Sequence, residues 1–129
     1  LIKDVCSIYF GSRLLKKSNT ISKKYRVLTG NIFNILLKIL IKNKFLGIKD
    51  TQCGFKLYKR NLAKIIFKDM KEDGYIHDVE ILILIRKKKF VVYELPVNWV
   101  HKAGSKINII KDSIKMFFDL LSLKLRYKI

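Results

Sequence analysis

Asp50-Thr51-Gln52-Cys53-Gly54-Phe55-Lys56 gathers an acid, polar side chains, a glycine and a cation into seven residues. A carboxylate can order hydroxyl groups, and an ammonium can neutralise phosphate oxygens. Gly54 is expected to let backbone approach closely where a side chain would block it. Leu57-Tyr58-Lys59-Arg60 continue the string, and Phe55 and Leu57 alternate with Lys56 and Tyr58 as in a half-buried strand. Three further clusters have comparable chemistry: Gly11-Ser12-Arg13, His77-Asp78-Val79-Glu80, and Asn98-Trp99 with Gly104-Ser105-Lys106. Gly-Ser-Lys in a loop can place backbone N–H groups, a hydroxyl and an ammonium around a phosphate. The upstream glycine and spacing of a P-loop are absent. Asp78 and Glu80 are two apart and cannot share a helix face, so one can enter a site while the other caps or pairs. Each cluster alone also has a structural explanation, such as a turn entering an edge strand or acids complementing a helix dipole. Jointly, Asp50, Asp78 and Glu80 with Arg13, Lys56 and Lys106 read as a site for phosphates.

The elements that must position these residues follow from periodicity. Residues 5–10 are apolar and β-rich and predict a buried strand running into the Gly11-Ser12-Arg13 loop. Residues 14–24 are polar and cationic and read as an exposed loop. Residues 25–43 carry Leu28, Ile32, Ile35, Leu36, Ile39 and Leu40 at helical spacing, with Arg26, Asn34, Lys38 and Lys42 opposite. A short helix is expected over residues 61–67 with Asn61 as N-cap, and a longer one over 78–88 ending in Arg86-Lys87-Lys88-Lys89. Residues 90–97 read as a strand, with Pro96 marking an edge or an end. A loop leads into a terminal helix over about 107–128, with Ile110, Ile114, Phe117, Phe118, Leu121 and Leu125 on one broad face. The order β, α, β, α, β, α argues for an α/β domain with helices covering a sheet.

Composition sets wider bounds. The chain has 129 residues, half of them hydrophobic, which is enough for one domain with a core and excludes a disordered tail. A net charge of +18 attracts polyanions, anionic lipid head groups or phosphorylated substrates. Abundant Lys, Ile and Asn with scarce Pro, Ala and Gly point to a coding bias, so placement of charge counts for more than its sum. Cys6 and Cys53 stand in no metal-ligand spacing with each other, His77 or His101, and read as thiols of a reducing compartment. The longest apolar run, residues 35–41, is broken by Lys38 and too short to span a bilayer. Lacking an initiator Met and a signal peptide, the chain reads as a segment of a longer protein.

These strings, in this order and rough spacing, resemble one family. Gly11-Ser12-Arg13, Asp50 through Leu57, Asp78-Val79-Glu80, Leu95-Pro96-Val97-Asn98-Trp99 and Gly104-Ser105-Lys106 carry the resemblance. So do Asp119-Leu120-Leu121 and Leu125-Arg126-Tyr127. Over nearly its whole length the chain resembles the C-terminal half of the dolichyl-phosphate β-glucosyltransferases, family 2 glycosyltransferases with a GT-A fold. The resemblance implies a three-layer, Rossmann-like α/β domain to which residues 1–129 contribute the C-terminal part. It implies inverting transfer of glucose from UDP-glucose to dolichyl phosphate at the cytosolic face of the endoplasmic reticulum membrane, feeding N-glycosylation. It also implies Mg²⁺ or Mn²⁺ on an Asp-x-Asp motif. No Asp-x-Asp occurs in this sequence, so the metal ligands and the nucleotide-binding half are expected upstream of Leu1, and the isolated chain is expected to lack activity.

Carried over by position, Arg13 matches the arginine near the acceptor phosphate, with Arg26 a weaker candidate for that role. Asp50, Thr51, Gln52, Gly54 and Lys56 match the acceptor and donor-sugar loop, which Glu80 joins. Asp78 falls at the catalytic aspartate. Ser105 and Lys106 match a mobile loop against the donor diphosphate. Mannosyl or bacterial polyprenyl-phosphate transferases are the alternatives within the class, and Gln52-Cys53 and Asn98-Trp99 favour the glucosyl family. A cationic module for a membrane or nucleic acid is the alternative outside it. Nucleic acid is not expected as a partner, because cations are spread along every element. A non-catalytic remnant is the third reading.

Overall fold

The structure is a computed structural model and describes residues 7–21, 24–41, 47–100 and 109–129. Nine elements follow in order: β1 (Ser7–Ser12), β2 (Asn19–Ile21), α1 (Lys24–Leu40), β3 (Lys56–Tyr58), α2 (Arg60–Asp69), α3 (His77–Lys87), β4 (Val91–Pro96), β5 (Asn98–Val100) and α4 (Ile109–Tyr127). The chain divides into two compact units: residues 1–19 with 45–99, and residues 20–44 with 100–129. The mixed α/β class agrees with the sequence. The short strands β2 and β5, paired with each other, occupy stretches expected to be loop.

In the first unit, β1 is the central strand of a three-stranded sheet ordered β3-β1-β4. It runs antiparallel to β3, with Phe10 opposite Lys56, and parallel to β4, with Phe10 opposite Glu94 and Ser12 opposite Pro96. Alternation across the pleat sends Ile8, Phe10 and Ser12 to one face together with Lys56, Tyr58 and Glu94. Ile8 and Phe10 are fully buried on that face. Phe10, Tyr58 and Phe67 form an edge-to-face chain from β1 through β3 to α2. On the opposite face Tyr9 stacks on Tyr93, while Phe55, Leu57 and Val91 are exposed. Pro96 closes an edge strand, where its missing N–H costs no ladder bond.

Helix α3 is buried at every residue from Asp78 to Ile85, so it packs on all sides rather than along one stripe. Burying each of its apolar side chains, Val79 and Ile81 to Ile85, stabilises the fold by about 1.5–3 kcal/mol. The helix stops in a Schellman arrangement: Lys89 N–H donates to Arg86 O and Phe90 N–H to Ile85 O. Lys89 sits there at φ 57°, a conformation that favours glycine. The N-cap of helix α2 lies two residues earlier than expected. Lys59 is the N-cap residue, without a side-chain cap, and Asn61 Oδ1 accepts from Leu62 N–H inside the first turn.

Among the described residues of the second unit, the buried hydrophobic ones are Leu37 and Ile41 from α1 and its end, and Leu120 and Leu123 from α4. These are not the faces expected from periodicity. Ile32, Ile35 and Ile39 of α1 and Ile114, Phe118 and Leu125 of α4 are exposed instead. Both helices are apolar on two sides, so spacing shows an amphipathic helix without saying which stripe packs. The unit holds 13 of the 28 Lys and Arg residues and 2 of the 10 acids. Among the described residues no helix is long and apolar enough to cross a membrane.

Candidate functional site

The site forms where the C-terminal end of β1, the segment 50–56 and the start of α3 converge in the first unit. Arg13 follows β1 directly. Asp50 closes around it with three bonds: the Arg13 backbone N–H donates to Oδ2 at 2.9 Å, Nε to Oδ2 at 2.7 Å and Nη2 to Oδ1 at 2.8 Å. Asp50 is 4% exposed at its side chain and Arg13 32%. A guanidinium carries five N–H donors. Asp50 takes Nε–H and one of Nη2, and both hydrogens of Nη1 and the second of Nη2 have no hydrogen-bond partner among the described residues. The Trp99 ring lies 5.6 Å from the guanidinium carbon and flanks it. Burial alone would raise the Asp50 pKa, but the hydrogen bonds and charge of Arg13 hold it below the ordinary carboxylate range. The same bond, opposed by burial, raises Arg13.

A second ion pair stands on the other end of the segment. Lys56 Nζ lies 2.9 Å from Asp78 Oδ1, with side-chain exposures of 7% and 9%. The ammonium also donates to Cys53 O and sits 4.9 Å over the Phe10 ring. Lys56 therefore points inward and holds Asp78, although sequence placed it among the cations facing phosphate. His77 Nε2 contacts the same Asp78 oxygen at 2.9 Å, and its Nδ1 lies 2.8 Å from Gly74 O. Asp78 also raises the Arg13 pKa through its charge, so the two pairs share one field.

Glu80 turns away, as its spacing from Asp78 requires. Its Oε2 accepts the backbone N–H of Lys71 at 2.9 Å and of Glu72 at 2.7 Å, fixing the loop ahead of α3. Four buried polar atoms have no partner among the described residues: Ser12 Oγ, Thr51 Oγ1, Gln52 Nε2 and Tyr58 OH. Ser12 and Thr51 adjoin Arg13 and Asp50 in the chain, and Gln52 lies two residues beyond Asp50. Such groups cost about 1–3 kcal/mol each if left unpaired, so a polar ligand reaching them would be favoured. Burial, with Asp78's charge, pushes the Tyr58 hydroxyl above its ordinary range.

The close backbone approach expected at Gly54 occurs at Gly11. Nothing lies within 4 Å of a Cβ built on Gly54, whereas one on Gly11 would meet Val97 Cγ1 at 2.8 Å, Cys53 Sγ at 3.0 Å and Phe55 Cβ at 3.0 Å. Gly11 N–H donates to Phe55 O at 2.7 Å and lays the segment 50–56 against β1. The backbone of Arg26 lies in the first turn of α1, and its side chain is outside the described residues, as are Ser105 and Lys106. Gly11, Ser12 and His77 stood in candidate clusters of the sequence without an assigned role. Glu94 was not singled out, and its only signal is an acid inside an apolar strand. No group of three or more His, Cys, Asp or Glu able to hold a metal occurs among the described residues. Asp50, Asp78, Glu80 and Glu94 each face a cation or backbone N–H groups, so these four carboxylates do not fit a divalent ion.

Fold and site together define a mixed α/β segment whose buried carboxylates Asp50 and Asp78 are each held by a cation. Comparison with known proteins is narrower. The chain is 46% identical over 81 residues to a dolichyl-phosphate β-glucosyltransferase of Saccharomyces cerevisiae, covering 63% of this chain and 24% of that one. It is 37% identical over 124 residues to one of Trichomonas vaginalis (95% and 37%), and 34% identical over 123 residues to that of Homo sapiens (94% and 37%). The chain belongs to the dolichyl-phosphate β-glucosyltransferase family and spans about a quarter to a third of the length of these relatives. No protein-family profile and no solved structure matches it.

Proposed function

We propose that this chain forms the acceptor side of a dolichyl-phosphate β-glucosyltransferase of GT-A fold. The complete protein would transfer glucose from UDP-glucose to dolichyl phosphate with inversion, on the cytosolic face of the endoplasmic reticulum membrane, for N-glycosylation. The observation that carries this reading is Arg13, clamped by Asp50 on one edge, with three N–H donors on the other that have no partner among the described residues. A guanidinium so fixed meets a phosphate monoester with charge-assisted, geometrically defined hydrogen bonds.

A phosphate monoester is largely ionised at neutral pH, with a second pKa of about 6, so its oxygen attacks the anomeric carbon without a strong base. Asp78, held by Lys56 and His77, then serves to orient the sugar or the attacking oxygen. Ser12, Thr51 and Gln52 offer hydroxyl and amide groups to the bound polar ligand. Ser105 and Lys106 are assigned to the leaving diphosphate, and Arg26 to the acceptor phosphate. Mg²⁺ or Mn²⁺ is assigned to residues outside this chain, and no step here runs through it.

The second unit supports a membrane surface as partner. Its exposed stripes, Ile32, Ile35 and Ile39 with Ile114, Phe118 and Leu125, are set in strongly cationic sequence, the pattern of helices lying in an anionic interface. The chain should co-sediment with vesicles containing phosphatidylserine, and Ile35→Ser with Phe118→Ser should weaken this about tenfold. Equal binding by both variants would remove the membrane assignment. The enzymatic reading is tested in a complete enzyme carrying these residues, supplied with UDP-glucose or GDP-mannose and dolichyl phosphate. Arg13→Met should raise the dolichyl phosphate KM at least tenfold. Unchanged kinetics, or preference for GDP-mannose, would overturn it.

A further inference from the structure

We infer that Glu94 is a positioning residue for the anion site of Arg13, an inference that rests on the reading of Arg13 as the acceptor-phosphate contact. Glu94 stands on β4 opposite Phe10, on the sheet face that also carries Ser12. Its Oε1 accepts two consecutive backbone N–H groups, those of Lys49 and Asp50, each at 3.0 Å. Two adjacent amides converging on one carboxylate oxygen fix the local backbone, as in an anion-binding nest. The amide held is that of Asp50 itself. Fixing it sets the Cα–Cβ direction from which the Asp50 carboxylate reaches Arg13.

The order of control is thus Glu94 to the Asp50 backbone, the Asp50 carboxylate to Nε and Nη2 of Arg13, and Trp99 against the guanidinium. Arg13 is 32% exposed at its side chain and has four rotatable side-chain bonds. Without a clamp it would sample several rotamers, and a phosphate would have to freeze them on binding. The clamp in turn depends on the segment 47–50, where Gly47 adopts a φ of 76° and Glu94 supplies the anchor. Glu94 touches neither the guanidinium nor its free edge, so it acts through Asp50.

The test uses the full chain and citronellyl phosphate, a short polyprenyl monophosphate, titrated by ³¹P NMR with fold integrity followed by Trp99 fluorescence. Glu94→Ala removes the acceptor and should weaken binding about tenfold, the scale of one charge-assisted hydrogen bond. Glu94→Gln keeps an oxygen that accepts both amides and should restore affinity to within about twofold. In an Arg13→Met background Glu94→Ala should have no further effect, because the free edge it serves is gone. Wild-type affinity in Glu94→Ala, or an equal loss in both backgrounds, would overturn the inference and leave Arg13's role standing. Wild-type affinity in Arg13→Met would instead overturn the acceptor-site reading itself. Should Glu94→Ala fail to fold, Glu94→Asp decides. Its carboxylate is shorter by one methylene, so a several-fold loss is expected, and unchanged affinity would refute the positioning role.

Discussion

Gly11→Ala should damage both the fold and the site, and its cost can be worked from three contacts. The added methyl would lie 2.8 Å from Val97 Cγ1, 3.0 Å from Cys53 Sγ and 3.0 Å from Phe55 Cβ. Comfortable carbon contacts lie at about 3.5–4.0 Å, so neighbours must retreat by about 0.5–1 Å. None can retreat cheaply. Val97 is β-branched and stiff at χ1, Cys53 is buried, and Phe55 Cβ moves only with its backbone. Overpacking of this kind costs about 1–3 kcal/mol, against which losing glycine's freedom in the unfolded chain recovers about 0.4–1 kcal/mol. The net expectation is a loss of about 1–2 kcal/mol. The displaced segment also carries Asp50, so its bonds to Arg13 should loosen and phosphate affinity fall with stability. Urea unfolding monitored by the single tryptophan, Trp99, reads the unit concerned. Gly54→Ala is the control. It meets nothing within 4 Å and should be neutral or stabilising by up to about 1 kcal/mol. Equal midpoints for the two variants would refute the argument that close packing at Gly11 joins β1 to the site segment.

Three further outcomes follow from the geometry. Asp50's pKa is lowered in the folded chain, so its pairing contributes stability above the unfolded value of about 3.9 and loses it as pH falls through the lower folded value. Urea midpoints from pH 6 to 2 should therefore drop in the wild type and stay flatter in Asp50→Asn, and parallel curves would refute it. Tyr58's pKa is raised, so its contribution is complete below about pH 10 and fades as pH rises above it. Tyr58→Phe removes a buried hydroxyl without a partner among the described residues, should cost nothing at pH 7, and should resist alkali better by the same unfolding assay. A loss above about 1 kcal/mol at pH 7 would show that the hydroxyl has a partner. Lys89→Gly relieves a left-handed lysine at the end of α3 and should stabilise by about 1 kcal/mol in urea unfolding. Destabilisation would refute that account.

The alternation around Phe10 and the charge asymmetry of α3 were legible in the sequence because pleat and dipole act on neighbouring residues. So was the divergence of Asp78 and Glu80, which a helix imposes at a spacing of two. The family was legible as well, because short strings kept their order along the chain. The pairing of Arg13 with Asp50 was not legible, since it joins residues 37 apart, nor was the inward turn of Lys56 toward Asp78. Nothing in the spacing of Gly11 and Gly54 shows which one meets another strand. The apolar stripes of α1 and α4 show the same limit, since each helix offers two faces and only packing selects one. Sequence by itself determined the family and which chemical groups this protein carries. Tertiary structure decided which of them face one another, because partner choice depends on contacts between residues distant in the chain.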